Sequence, residues 1–263
     1  MPSLLSNRLA KRVLKPAMAM VEQRLQRESA AFQADLDALH HQVADLRRRS
    51  YGLGLLLDQT GRDGHRMPTE TQMDTLVREV GTLTGCDDHR VRDELTVAYR
   101  QLVALEALGV GGLAGTLSDV CGRLAALSLL DPPGGEVLAV DGGSGLFAVA
   151  LGRMLRRAGA DARLTVLGPA ARAEAVRANL ALCGGHAPEG EARFVAGAPG
   201  DPEARTRLAD RRYGILLADG PGLPDLSALA APGALLVTPA NTPAPGFRLL
   251  GRVAASDYHR APR

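Results

Sequence analysis

The chain has 263 residues, 46% of them hydrophobic, with 31 basic against 29 acidic side chains and a formal charge of +2. That is enough for one sizeable core plus an appendage, and the charge balance argues against a dedicated nucleic-acid binder, whose basic face normally shows as a large excess of Lys and Arg. No uncharged apolar run approaches the roughly 18 to 20 residues needed to cross a bilayer, the N-terminus lacks an apolar signal core, and Cys86, Cys121 and Cys183 form neither a CxxC pair nor a metal-ligand cluster with His; a cytoplasmic protein without disulfides or a metal site is expected.

Residues 1 to 66 carry 11 basic and 7 acidic side chains, the rest of the chain 20 and 22. Leu5, Leu9 and Val13 lie four apart among Arg8, Lys11, Arg12 and Lys15. On a helix this makes a short basic amphipathic segment over 1–16, suited to weak contact with an anionic membrane surface, and Pro16 ends it. Met18, Leu25, Phe32, Leu39 and Leu46 then recur every seven positions, with Leu36 and Val43 complementing the second half and Glu22 and Ser29 interrupting the first. This spacing predicts one helix over about 18–50 with a coiled-coil seam, and self-association through it. A long helix packed on its own domain is the alternative.

The stretch 59–68, QTGRDGHRMP, reads as a linker. Three helices follow. Thr69, with Gln72 three residues on, caps the first, to about Leu83; Asp87 or Asp88 caps the second, to about Leu108; the third spans about Leu113 to Leu130, starting near Thr116 and Ser118 and stopped by Asp131-Pro132-Pro133-Gly134. After Gly135 short apolar runs alternate with amphipathic stretches, the sign of a parallel sheet covered by helices. Strands are expected at 136–140, 163–167, 192–196, 213–218 and 234–238, with helices at about 146–158 and 170–183. The division is 1–58 for the basic segment and coiled-coil helix, 59–68 for the linker, 69–130 for a helical cover and 131–263 for the α/β domain.

The turn after the first strand, Asp141-Gly142-Gly143-Ser144-Gly145, leads at once into an apolar helix. In an open parallel sheet the ligand crevice lies at the carboxyl ends of the strands, and glycines in the first turn let the backbone approach a bound cofactor. Gly143-x-Gly145-x-x-Ala148 also fits the dinucleotide fingerprint. A nicotinamide dinucleotide is therefore one alternative ligand, although Gly168 removes the acid such a site uses for its ribose.

From Glu136 to Thr238 the chain resembles the class I S-adenosylmethionine-dependent methyltransferase family. VLAVDGGSG (137–145) resembles its first motif, LTVLGPAARAEAVRANLALCG (164–184) its second strand and helix, ARFVAGAP (192–199) its third strand, YGILLADGP (213–221) its fourth and APGALLVTP (231–239) its fifth. The resemblance implies a Rossmann-like, doubly wound, mainly parallel sheet preceded by the helical cover and the coiled-coil helix. It implies S-adenosylmethionine as cofactor and a site at Asp141, Gly142, Gly143, Ser144, Gly145, Gly168 and Ala198. Asp219 is implied as the acid that orients substrate or, in a subset of the family, binds a divalent metal; capping of a helix after Pro224, or plain solvation, is its alternative reading. His186, in a Gly-rich loop, is a candidate general base, or else a surface histidine. No reading attaches to His259.

Ala139 stands where the family has its first acid, Gly168 where it has the ribose acid and Ala198 where it has the acid beside the adenine. A hydrogen bond to a charged group contributes roughly 1.5 to 3 kcal/mol, so loss of the ribose carboxylate alone weakens binding by roughly 10- to 100-fold. Two readings follow: Asp141 substitutes for a missing acid and the protein binds the cofactor, weakly, to methylate a small molecule or glycan; or cofactor binding is lost and a coiled-coil-oligomerised scaffold remains. The segment after the fifth strand, with FRLLGRV (247–253) as one further strand, is expected to be abbreviated relative to the helix and hairpin of the full family fold.

Overall fold

The computed structural model describes residues 24–26, 28–30, 32, 33, 35, 36, 39, 42, 43, 68–113, 115–183, 192–220 and 225–263. The chain divides into two compact units, Met1–Arg47 and Arg48–Arg263. In the first, every described residue is helical, and Leu25, Phe32, Leu36, Leu39 and Val43 of the heptad row are all exposed. The basic segment 1–16, Met18, Leu46 and the 59–67 part of the linker fall outside the described residues.

The second unit opens with three helices, each started by the side chain its sequence supplies. Helix α1 (Glu70–Thr84) begins with a reciprocal capping box, Gln72 N–H donating to Thr69 Oγ1 at 3.4 Å and Thr69 N–H to Gln72 Oε1 at 3.0 Å. Asp87 caps α2 (Asp88–Leu108) by accepting from Arg90 N–H at 2.9 Å, and Thr116 caps α3 (Leu117–Leu129) by accepting from Asp119 N–H at 3.2 Å.

The sheet that follows contains β1 (Glu136–Val140), β2 (Arg163–Gly168), β3 (Ala192–Ala196), β4 (Tyr213–Ala218), β5 (Ala230–Pro239), β6 (Arg248–Val253) and β7 (Ser256–Arg260). Their spatial order is β3-β2-β1-β4-β5-β7-β6. The first five are parallel; β7 runs antiparallel to β5, and β6 antiparallel to β7. Helices α4 (Leu146–Arg157), α5 (Ala173–Leu180) and α6 (Pro202–Leu208) make the crossovers. Short 3-10 turns flank α5 at Ala170–Arg172 and Ala181–Cys183, so the single helix expected over 170–183 is three pieces.

Alternation along the strands divides the core in two. Val137, Ala139, Val166, Ile215, Leu217, Val237 and Tyr258 face the larger cluster, which also holds the apolar sides of α1 to α5. Leu138, Val140, Leu167, Leu216 and Leu236 face a smaller one with Leu208 of α6, Leu226 and Leu229. The three cover helices are thus continuous with the main core. All three cysteines are free; burial pushes the Cys121 thiol up to about 12, which leaves it a small hydrophobe and not a nucleophile.

The structure corrects the expectation at the C-terminus. FRLLGRV does form a strand, β6, but Ser256–Arg260 forms another, so the two-stranded edge hairpin is present; what connects β5 to β6 is loop and turn over 240–247, without a helix. The hairpin escaped notice because β7, SDYHR, is mostly polar. Its Asp257 and His259 are nevertheless buried, each provided with partners that the sequence does not reveal. Strand β5 also starts four residues earlier than expected, at Ala230, running through Pro232 and Gly233.

Candidate functional site

The turn 141–145 sits at the carboxyl end of β1 and connects directly to α4. Asp141 adopts a left-handed backbone (φ 55°), as do Gly143 (60°) and Gly145 (81°). For an aspartate that conformation costs about 1 kcal/mol or more and survives only where its surroundings hold it. At Gly145 the requirement is double: the positive φ, and a close approach to α5 in which a Cβ would lie 3.3 Å from Val176 Cγ1.

Asn179 locks this turn to the cover. Fully buried on α5, it donates from Nδ2 to the carbonyls of Ser144 (2.7 Å) and Val110 (2.8 Å), while its Oδ1 accepts from Val110 N–H at 2.7 Å. One amide side chain thereby satisfies the backbone of two segments. Gly109, next to Val110, packs so closely on α4 that a Cβ there would meet Leu146 Cδ2 at 2.4 Å. Asn179 belongs to the RANL run, but its role was not read from the sequence, because a polar residue in an amphipathic helix looks like any solvated position.

Between the turn and the cover lies a cavity of about 410 Å³, within the range of small-molecule sites. It is lined by Gly112, Leu113 and Gly115 from the α2–α3 connection, Arg123 from α3, Asp141 to Ser144 from the turn, Leu146 and Phe147 from α4, Arg172 beyond β2, and Asp219 after β4. The structure therefore brings together Asp141, Gly142, Gly143, Ser144 and Asp219. It does not bring Gly168 or Ala198 into the wall: Gly168 is buried, and Ala198 is exposed in the turn after β3. Gly145 is buried behind the turn, and His186 lies outside the described residues.

Two ion pairs cross the cavity. Arg123 Nη2 contacts Asp219 Oδ1 at 2.7 Å, with side chains only 14% and 30% exposed, and the guanidinium stacks over Phe147 at 4.6 Å from the ring centroid. Arg172 Nη1 meets Asp141 Oδ1 at 3.5 Å, with both side chains about half exposed; a pair of that kind contributes about 0 to 1 kcal/mol. Asp219 is thus paired and not merely solvated, and the described element that follows, a 3-10 turn at Ser227–Leu229, has Asp225 accepting from Ser227 N–H. A guanidinium occupies the place beside Asp219, and among the described residues no group of three or more His, Cys, Asp and Glu could hold a metal ion. Arg123 and Arg172, the cations among the described lining residues, were missed because each lies on a helix or turn where an arginine is ordinary.

No family model matches the chain, and no curated protein matches it. Among solved structures it is similar to a protein described as a protein-L-isoaspartate O-methyltransferase from Plasmodium falciparum in complex with S-adenosyl-L-homocysteine, at 14% identity and TM-score 0.45 over 76% of this chain and 94% of that one. It is also similar to an rRNA methyltransferase from Streptomyces viridochromogenes (14%, TM-score 0.40, 53% and 83%) and to precorrin-6y C5,15-methyltransferase from Geobacter metallireducens (14%, TM-score 0.37, 51% and 67%). The fold is established by the topology: a doubly wound sheet with order 3-2-1-4-5, a Gly-rich turn at the carboxyl end of β1, and the antiparallel hairpin closing the β5 edge. The chain therefore has a Rossmann-like, doubly wound fold, mainly parallel, with an antiparallel hairpin at one edge.

Proposed function

We propose that this chain binds S-adenosylmethionine in the cavity over the 141–145 turn and methylates a small molecule or glycan, with Asp219 orienting the acceptor. The observation that carries this reading is the cavity itself, which opens at the carboxyl ends of β1 and β4 and has a carboxylate and a guanidinium paired at 2.7 Å in its wall. The residues present fit the cofactor at the turn, where glycines leave the backbone accessible, and at the charged wall. At the ribose they supply no carboxylate, since β2 ends in Gly168, so binding is weaker than with a full complement of acids. When bound, the cofactor supplies an electrophilic methyl group. The chain's contribution is to hold the acceptor in line and keep water out, which needs placement more than a special catalytic group. Calorimetric titration with S-adenosylhomocysteine tests the reading: micromolar binding is expected, and no heat at millimolar ligand overturns it.

A second reading rests on a different observation. The exposed heptad residues Leu25, Phe32, Leu36, Leu39 and Val43 make an apolar row on the N-terminal helix, which suits a second copy of the chain and an oligomeric, non-catalytic scaffold. Deleting residues 1–50 is expected to lower the oligomeric state in light scattering; an unchanged number of chains per particle removes self-association through this helix. If the number falls on deletion and the titration of the intact protein is blank, the scaffold reading stands alone.

A further inference from the structure

We propose that a second cavity, beside the amino-terminal half of β5, binds a phosphate monoester, with the phosphate seated between Arg248 and Arg260. This cavity measures about 550 Å³; Arg248, Arg260 and Arg263 line it together with Phe247, and none of the described lining residues is acidic. Its place is fixed by the chain beyond β7, which continues alongside the start of β5: Ala261 N–H donates to the Ala234 carbonyl at 2.8 Å and Gly233 N–H to the Pro262 carbonyl at 3.0 Å. The cavity over the 141–145 turn opens instead at the carboxyl ends of β1 and β4, and the two share no lining residue.

The β6–β7 hairpin gives its arginines unlike neighbours at its two ends. Near the turn Arg252 stands opposite Asp257, and the two are ion-paired at 2.6 Å. At the open end Arg248 stands opposite Arg260, and like charges directly opposite each other across two strands repel. Arg260 Nη2 donates to the Leu130 carbonyl at 3.4 Å, a long contact with a neutral group that does not offset its charge. Arg248 is exposed and Arg260 half-buried, so both remain open to a ligand in the cavity. An anion seated between them turns the repulsion into attraction. A phosphate monoester carries about −1.5 to −2 at pH 7, which matches two guanidiniums, and each planar guanidinium meets two phosphate oxygens at once. Phe247 offers an apolar wall to the organic part. The volume is that of a small-molecule site, and a whole-chain charge of +2 lacks the basic excess of a nucleic-acid binder, which favours a small ester over a nucleic-acid backbone.

The test is calorimetry on the intact protein at low ionic strength, where exposed charges are least screened, with phenyl phosphate and inorganic phosphate as probes. The parent is expected to bind phenyl phosphate in the submillimolar range and several-fold more tightly than inorganic phosphate. Arg248→Gln and Arg260→Gln are each expected to weaken phenyl phosphate about tenfold or more, the loss of one charged contact. Arg207→Gln, which removes an exposed arginine on α6, is expected to leave the affinity unchanged. No heat at millimolar phenyl phosphate overturns the site. So does full retention of affinity in Arg248→Gln, which places the binding elsewhere, and so does an equal loss in Arg207→Gln, which marks general charge attraction. Equal affinity for the two probes overturns the ester as ligand. Should Arg260→Gln not fold, as judged by its melting curve, Arg248→Gln, at an exposed position, decides alone. Because the probes differ from the cofactor and the variants lie outside its cavity, the outcome is independent of whether S-adenosylhomocysteine binds.

Discussion

The cavity over the 141–145 turn and the β5–β7–β6 edge both contain aspartates paired with arginines, yet the two clusters are built for different ends. At the edge, buried Asp257 accepts from Arg252 Nε (2.6 Å) and Nη2 (3.1 Å) and from Asn241 N–H (2.7 Å), while Arg252 Nη2 also reaches Asn241 Oδ1 and His259 contacts Thr238 Oγ1 at 3.3 Å. The contacts are short, and they leave Asp257 only 4% and His259 6% exposed. In the cavity, the same residue types border about 410 Å³ of open space. Charges held by several short hydrogen bonds in a buried strand hold a fold together; charges paired beside a void are where a ligand can be met.

That contrast is sharpened most by the residue that joins the cavity to the core. Replacing Asn179 by Leu leaves the Val110 N–H and the carbonyls of Val110 and Ser144 without their partner. We expect a loss of about 3 kcal/mol in urea unfolding, together with weaker S-adenosylhomocysteine binding. A stable variant with unaltered binding would show the turn to be held by other contacts.

At the edge, Asp257→Ala is expected to cost about 2 kcal/mol, discounted because Arg252 is half exposed, and to leave ligand affinity unchanged. A change in affinity would break the division between the two clusters. Smaller still is the effect of Gly168→Glu. A Cβ there would lie 3.8 Å from Phe194 Cε2, ordinary contact, and Gly168 needs no left-handed backbone; a carboxylate reaching from β2 to the ligand is expected to raise S-adenosylhomocysteine affinity about tenfold, one charged hydrogen bond's worth, and an unchanged or lower affinity would place Gly168, which is outside the cavity wall, away from the ligand.

The least effect is on pH dependence. Burial pushes His259 below its ordinary 6.5, with Asp257 pulling it partly back; the Arg252 hydrogen bond, followed by that of the Asn241 N–H, holds Asp257 below 3.8. Both folded values lie under the unfolded ones, so both groups contribute stability at neutral pH that acid removes. The His259 share is lost as pH falls from about 6.5 through its lowered folded value, and the Asp257 share only below about 3.8. Melting temperatures across pH 3 to 8 should therefore decline in two stages, and His259→Gln should abolish the upper one.

Much of the architecture was legible in the chain. Thr69, Asp87 and Thr116 announced their helices because a cap is a local bargain between one side chain and a backbone N–H three residues on. The parallel strands declared themselves as apolar runs because both faces of the sheet are buried, and the Gly-rich turn did so because its left-handed backbone at 143 and 145 favours glycine. Of the residues singled out in the sequence, Asp141 to Ser144 in the turn after β1 and Asp219 after β4 line the cavity.

What the sequence by itself determined about this protein is therefore its local structure, its strand succession and its first turn, all set by interactions a few residues in reach. Only the tertiary structure decided the rest. Arg123 meets Asp219, Asn179 ties Val110 to Ser144, and the polar strand β7 is buried beside β5, because each depends on partners from distant segments. A buried polar group is affordable only when such a partner arrives, and composition or periodicity carries no record of which one does.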